Sequence, residues 1–332
     1  MSVAVPTRQE LAAAYAVTRL ATQRTPLIES EALARATGAA RAFVKAESLQ
    51  STGSFKLRGA YWRLSCLTPQ ERARGVIAFS SGNFAQGLAA AGRSLGIPVT
   101  IVMPEDAPAM KREATAALGA KVVLSQHGDR PREEVASALA RDLAARDGLT
   151  LLHPFDDPLI VAGQAGAGIE ALEQLKEAGA VADVAICPVG GGGLMGGVAL
   201  SLHHADPATA IWAAEPEGYN GMGLSLDMGE QQRVAGTSST IADALQATMP
   251  GAAPLAAARA AGVRGVTVGD RAIARAMRFA FERLKLVLEP SGAVAIAAAL
   301  ERAVPVTGKT VVIFATGGNV ALDRFVALVG TE

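Results

Sequence analysis

Aromatic residues make up only 4% of this 332-residue chain, cysteine occurs twice and histidine four times. Ala, Val, Leu and Gly dominate its 50% hydrophobic content, which suits closely packed α/β layers better than a β-sandwich. Thirty-one basic residues cancel thirty-one acidic ones, and no basic run carries interleaved aromatics, so neither nucleic acid nor an anionic membrane is indicated as a partner. No apolar run reaches the roughly 20 residues needed to span a bilayer, and the first residues lack the basic segment and apolar core of a leader. The chain therefore reads as cytoplasmic and as working on small molecules. Cys66 and Cys187 lie far apart without metal-ligand spacing, and both are expected as core thiols. His127, His153, His203 and His204 form no metal-binding pattern and receive no role.

The length favours two domains. Short apolar runs followed by small-residue turns and Ala/Leu-rich stretches predict βα units with parallel sheets. Strands are expected at Val76 to Phe79, Val99 to Met103, Lys121 to Leu124 and Thr150 to Leu152, and in a second group at Val184 to Cys187, Ala210 to Ala213 and Val311 to Ala315. Helices are expected at Ala85 to Leu95, Arg132 to Arg146, Gln164 to Glu177, Arg271 to Leu286 and Ala293 to Arg302. The expected fold is two open, twisted, mostly parallel sheets with flanking helices. Residues 76–152 form a small mobile domain inserted in a large one built from 1–75 and 153–332, with the site in the cleft between them. Residues 216–239, rich in Gly, Ser and Met, read as an irregular excursion.

Chemistry concentrates in a few turns. Ser51-Thr52-Gly53-Ser54-Phe55-Lys56 sets a lysine beside an aromatic ring in a Gly/Ser-rich turn. Desolvation there favours the neutral amine, which can form a Schiff base with an aldehyde. Gly190, Gly191, Gly192 and Gly193 follow a strand and precede Leu194 at a helix start. Consecutive glycines let backbone N–H groups approach an anion, and the helix N-terminus adds its positive dipole end, so a phosphate fits. The pattern is neither a Walker A loop nor the spaced glycines of dinucleotide folds. Ser80, Ser81, Gly82 and Asn83 offer hydroxyls and an amide suited to a carboxylate or phenolate oxygen, although an ordinary helix cap explains them equally well. Thr316 presents a neutral hydroxyl at the end of its strand, again with a cap as the plain alternative.

In matching order, Ser51 to Ala60, Ser80 to Asn83, Gly190 to Gly193, Glu289-Pro290-Ser291-Gly292 and Thr316-Gly317-Gly318-Asn319 resemble the fold-type II pyridoxal-phosphate enzymes. That fold is similar to the tryptophan synthase β-subunit, and the group most resembled is the serine/threonine dehydratase and serine racemase family. The resemblance extends to Arg24-Thr25-Pro26-Leu27 and to Thr240-Ile241-Ala242-Asp243. It implies pyridoxal 5'-phosphate on Lys56, Phe55 packed near the ring, Asn83 on the ring oxygen, Gly190 to Gly193 and Leu194 on the phosphate, and Thr316 facing the pyridine nitrogen. The Ser80 to Phe84 turn would receive the substrate, and Ser81 matches the position of a second acid/base in racemases.

The implied reaction is elimination of ammonia and water from an L-3-hydroxy amino acid, giving a 2-oxo acid, with Lys56 as both tether and base. Racemisation of serine or aspartate is the alternative. Phe84 stands where threonine dehydratases commonly carry histidine, which suggests a bulkier or less polar substrate such as phenylserine, hydroxyaspartate or an ectoine-breakdown intermediate. Cation-dependent relatives pair a glutamate with an aspartate six residues later. Here Glu215 matches but Gly221 replaces the aspartate, so no tight divalent site is expected, and a monovalent ion on Glu215 and carbonyls stays open. A homodimer without a C-terminal regulatory domain is implied.

Overall fold

A computed structural model describes residues 3–128, 130 and 132–330. Among the described residues ten strands are distributed over two sheets. They are β1 (Leu27–Glu29), β2 (Arg41–Ala46), β3 (Val76–Phe79), β4 (Val99–Pro104), β5 (Lys121–Ser125), β6 (Thr150–Leu151), β7 (Val184–Pro188), β8 (Ala210–Pro216), β9 (Arg264–Val268) and β10 (Thr310–Ala315). The larger sheet has the order β1-β2-β10-β7-β8-β9, parallel except for the antiparallel edge strand β1. The smaller has the order β5-β4-β3-β6 and is parallel throughout.

Helices cover the sheet faces, as parallel strands buried on both sides require. From Ala293 onward the Pro290–Leu300 helix is alanine, valine, isoleucine and leucine, and Ala293 to Ala299 are buried in the core of the larger sheet. The Lys56–Ser65 helix sends Leu57, Ala60 and Leu64 into the same apolar cluster as Val76, Ala78, Val99 and Ile101 of the smaller sheet. The residue after Phe55 thus opens a helix that belongs by packing to the smaller layer. Lys56 is therefore the first helical residue and not a turn residue.

Several other expectations change. A helix at Gly221–Met228 interrupts the stretch read as irregular, because both oxygens of the buried Glu215 carboxylate accept the first N–H groups of that helix, from Met222 and Gly223, at 2.8 Å. The expected Gln164 to Glu177 helix starts at Pro158, with Asp157 capping Leu159 N–H. The expected Arg271 to Leu286 helix is α only over Asp270–Phe279 and ends in a π-turn, Ala280–Leu284, closed by Lys285 at φ 59°. Cys187 is a core thiol, but Cys66 is exposed, since its helix ends there. Among the described residues no helix is long and apolar enough to cross a membrane.

Candidate active site

Five loops leave the carboxyl ends of β2, β3, β6, β7 and β10, where open parallel sheets collect ligands. Hydrogen bonds join them. Ser54 bridges Gly317, Phe55 N–H points to Thr316 O at 3.4 Å, and Gly318 N–H donates to Gly53 O at 2.9 Å. Gly53 adopts φ +71°, and a Cβ there would run into the Asn319 amide, so this turn accepts only glycine. The β2 loop that delivers Lys56 is thereby stitched to the β10 loop that carries Thr316.

Lys56 is half-buried, and among the described residues its amine has one hydrogen-bond partner, Pro154 O at 3.4 Å. Its Nζ lies 5.1 Å from the Phe55 ring centre and 5.8 Å from that of Phe84. Burial pulls the amine down to about 8, against the opposing attraction of Glu289. Phe84 is 2% exposed and packs with Leu57 and Leu88, so it forms a wall behind the lysine.

Asn83 opens the next helix, with Gly82 as its cap residue, and no side chain caps that end. The Asn83 amide is held from both sides: its Nδ2 donates to Glu289 Oε1 at 2.6 Å, and its Oδ1 accepts from Asn319 Nδ2 at 2.8 Å. That leaves one N–H of Asn83 for a ligand. Ser80 Oγ accepts from Gly82 N–H at 3.3 Å, and Ser80 and Ser81 are both half-buried. Thr316 is buried and is not a helix cap, because the following helix begins only at Leu322.

Glu289 is the residue whose role sequence reasoning missed. It sits within a recognised motif, but its partner Asn83 is 206 positions away. Burial, with Asp243 adding to it, lifts its carboxyl to about 7. A side chain on Gly317 would collide with Glu289, which accounts for that glycine. His153, also left without a role, reaches the site: burial lowers its pKa first, and the nearby Lys56 amine adds to the lowering.

The four glycines form a cradle. The N–H groups of Gly190, Gly191 and Gly192 donate to no group among the described residues, and the helix that follows begins at Gly193. A Cβ on Gly190 would come 3.0 Å from Leu245 Cα, one on Gly191 would overlap the Phe155 ring, and Gly192 has φ +95°. Orphaned donors beside a helix N-terminus fit a phosphate. We expect Gly191→Ala to displace Phe155 at a cost of about 1–3 kcal/mol. Cofactor binding, followed by absorbance titration of the unloaded protein, should weaken about ten- to hundredfold. Unchanged affinity would remove the cradle from the site.

A desolvated lysine, an anion cradle and a neutral hydroxyl at the ends of parallel strands define an enzyme class that carries an aldehyde cofactor on lysine. The chain belongs to the family described as "Pyridoxal-phosphate dependent enzyme", whose profile matches residues 18–317. It is a pyridoxal-phosphate dependent enzyme of fold type II. It is 39% identical over 306 residues to L-threo-3-hydroxyaspartate ammonia-lyase of Saccharomyces cerevisiae, covering 92% of this chain and 91% of the relative. It is equally identical, at 39% over 306 residues, to L-threonine ammonia-lyase of Thermotoga maritima, covering 91% of this chain and 74% of the relative. Among solved structures, maize serine racemase superposes with a TM-score of 0.89 at 32% identity over 97% of this chain and 96% of the other. Lys56 and the cradle fit the aldehyde and the phosphate of pyridoxal phosphate respectively.

Proposed function

We propose that the chain is an ammonia-lyase that converts an L-3-hydroxy amino acid of the threonine or serine type to a 2-oxo acid and ammonia. The observation that carries this reading is the Lys56 amine, brought to about 8 and set at the same strand ends as the glycine cradle and Thr316. When bound, the cofactor supplies an aldehyde for amines and a sink for the electrons left at Cα. Lys56 would tether it, and its free amine would remove the Cα proton; a base near pH 8 is partly free at neutral pH. Gly190 to Gly193 and Leu194 would hold the phosphate, Phe55 would pack beside the ring, and Asn83, fixed by Glu289 and Asn319, would orient the ring oxygen. Thr316 would face the ring nitrogen with a neutral hydroxyl, which cannot protonate it, and so would favour prompt loss of a β-substituent over transamination. Ser80, Ser81 and Gly82 receive the substrate carboxylate. Loss of the Cα proton and the β-hydroxyl leaves an enamine that water hydrolyses to the 2-oxo acid and ammonia.

Racemisation is the second reading, supported by the half-buried Ser81 hydroxyl and by the likeness to the maize racemase. The decisive experiment scores L- and D-threonine, serine, threo-3-hydroxyaspartate and phenylserine for both 2-oxo acid formation and inversion at Cα. We expect 2-oxo acid from at least one L-isomer, faster than inversion. Inversion without 2-oxo acid would overturn the lyase reading. The buried Phe84 behind Lys56 leads us to expect that threonine is not preferred a hundredfold over phenylserine; such a margin would refute a bulkier substrate.

We read residues 76–152 as a small mobile domain inserted between 1–75 and 153–332, supported by the two separate sheets, with the Lys56–Ser65 helix of the preceding segment packed on the smaller one. A cytoplasmic location is supported by the two unpaired cysteines. A homodimer is supported by the exposed Leu322, Val326 and Phe281, the last edge-on to the Phe325 ring with centroids 5.6 Å apart.

A further inference from the structure

The segment that follows β6 crosses the site, and each of its three residues has a defined place. Pro154 O faces the Lys56 amine at 3.4 Å. The Phe155 ring lies against Gly191 of the cradle, and its Cβ and backbone lie against Gly193. His153 stands edge-on between aromatic rings, 4.5 Å from that of Phe155 and 6.3 Å from that of Phe79, the residue that precedes Ser80. The imidazole therefore sits between the cradle and the Ser80 to Asn83 turn, one residue from the carbonyl that touches the lysine.

The ring's orientation and proton are both defined. Nδ1 accepts Asp156 N–H at 2.9 Å, with Phe155 N–H further off at 3.4 Å. An acceptor Nδ1 on a neutral ring puts the proton on Nε2. That Nε2–H has no partner among the described residues, and it is not closed off from solvent. The fold thus presents a fixed, unused hydrogen-bond donor beside Lys56.

We propose that His153 is a specificity-determining residue, whose Nε2–H donates a hydrogen bond to the oxygen carried on the substrate Cβ. The proposal deepens the lyase reading, since elimination requires the Cβ–O bond to be aligned with the electrons left at Cα when the proton there is removed. A neutral imidazole has no second proton to give, so the role is recognition and not protonation of the departing hydroxide. A carboxylate on Cβ can accept the same hydrogen bond.

The test uses two ligands that lack a Cα proton, 2-methylserine and 2-aminoisobutyrate, which differ only in the β-hydroxyl. Neither can undergo elimination or racemisation, so dissociation constants from cofactor absorbance or calorimetry report binding alone. The holoenzyme should bind 2-methylserine about tenfold more tightly, the worth of about one net hydrogen bond. His153→Asn keeps an acceptor near the Nδ1 position and loses the distal donor, and it should abolish the preference. His153→Gln keeps a distal N–H and should retain it. A purely structural histidine predicts the reverse order, with Asn tolerated and Gln damaging. No preference in the parent protein, or a preference surviving in His153→Asn, overturns the proposal. If instead the ligands bind as expected and no 3-hydroxy amino acid yields a 2-oxo acid, the lyase reading falls and the role of His153 stands.

Discussion

Lys56→Ala abolishes turnover and removes the visible absorbance of the bound cofactor. Loss of a general base alone costs about 10²–10⁴-fold, and loss of the tether is added to that, so product formation should drop to background. Lys56→Arg keeps a positive charge and should be equally inactive, because a guanidinium neither forms a Schiff base nor gives up its proton near neutrality. The pH dependence of cofactor uptake separates a tuned lysine from an ordinary one. Only the neutral amine attacks the aldehyde. An amine lowered from 10.5 to about 8 is protonated below pH 8 and free above it, so the rate of uptake by the unloaded protein should rise with pH to a midpoint near 8. A midpoint near 10.5, or variants within tenfold of the parent, would refute the assignment.

The cause of that tuning is local. Burial disfavours the charged amine, and Lys56 is also the first residue of its helix, where the dipole repels positive charge. Glu289 opposes both, but burial lifts its own carboxyl to about 7, so near neutrality it carries only part of its charge. The rings of Phe55 and Phe84 give the amine apolar neighbours in place of water.

What could be read from the sequence was what needs no distant partner. The runs of β3, β4, β7 and β10 are continuous and apolar, and the turns behind β3, β7 and β10 consist of glycine and small polar residues, so strands and site loops show together. Strand β2 does not show, because Arg41 and Lys45 break its apolar run. Lys45 is buried all the same, donating to Glu170 at 2.7 Å across 125 positions. The Gly221–Met228 helix, in a stretch too rich in glycine to suggest one, has its first N–H groups satisfied by Glu215. His153 matches no motif, and its place beside Lys56 comes from a crossing of β6 and β2 loops that spacing does not encode.

Arg58→Met should destabilise the protein by about 3–5 kcal/mol, the range for breaking a buried ion pair from one side. Arg58 lies two residues beyond Lys56 in the same first helical turn, which holds no acidic residue, so the dipole again works against a cation. Two buried carboxylates offset this. Arg58 Nε and Nη2 donate to Glu47 at 2.8 and 2.9 Å, and Nη1 and Nη2 to Glu170 at 2.8 and 2.7 Å. Lys45, also on Glu170, brings the cluster to two cations and two anions, all at most 1% exposed. Removing Arg58 leaves Glu47 and Glu170 with one cation between them in a desolvated setting. Burial works to raise the Glu47 pKa, but the charge and hydrogen bonds of Arg58 outweigh it and hold the carboxyl below its usual range. Glu47 thus contributes stability above its unfolded pKa that is lost as pH falls through the folded one, and Arg58→Met should shrink that acid-side loss. Urea unfolding at pH 7 and at about pH 3, below the unfolded carboxylate range, measures both effects, with an unchanged m-value required for the comparison. Arg58→Lys should recover little, since an ammonium cannot bridge two carboxylates bidentately. If Arg58→Met lies within 1 kcal/mol of the parent at pH 7, the cluster does not anchor the helix that carries Lys56.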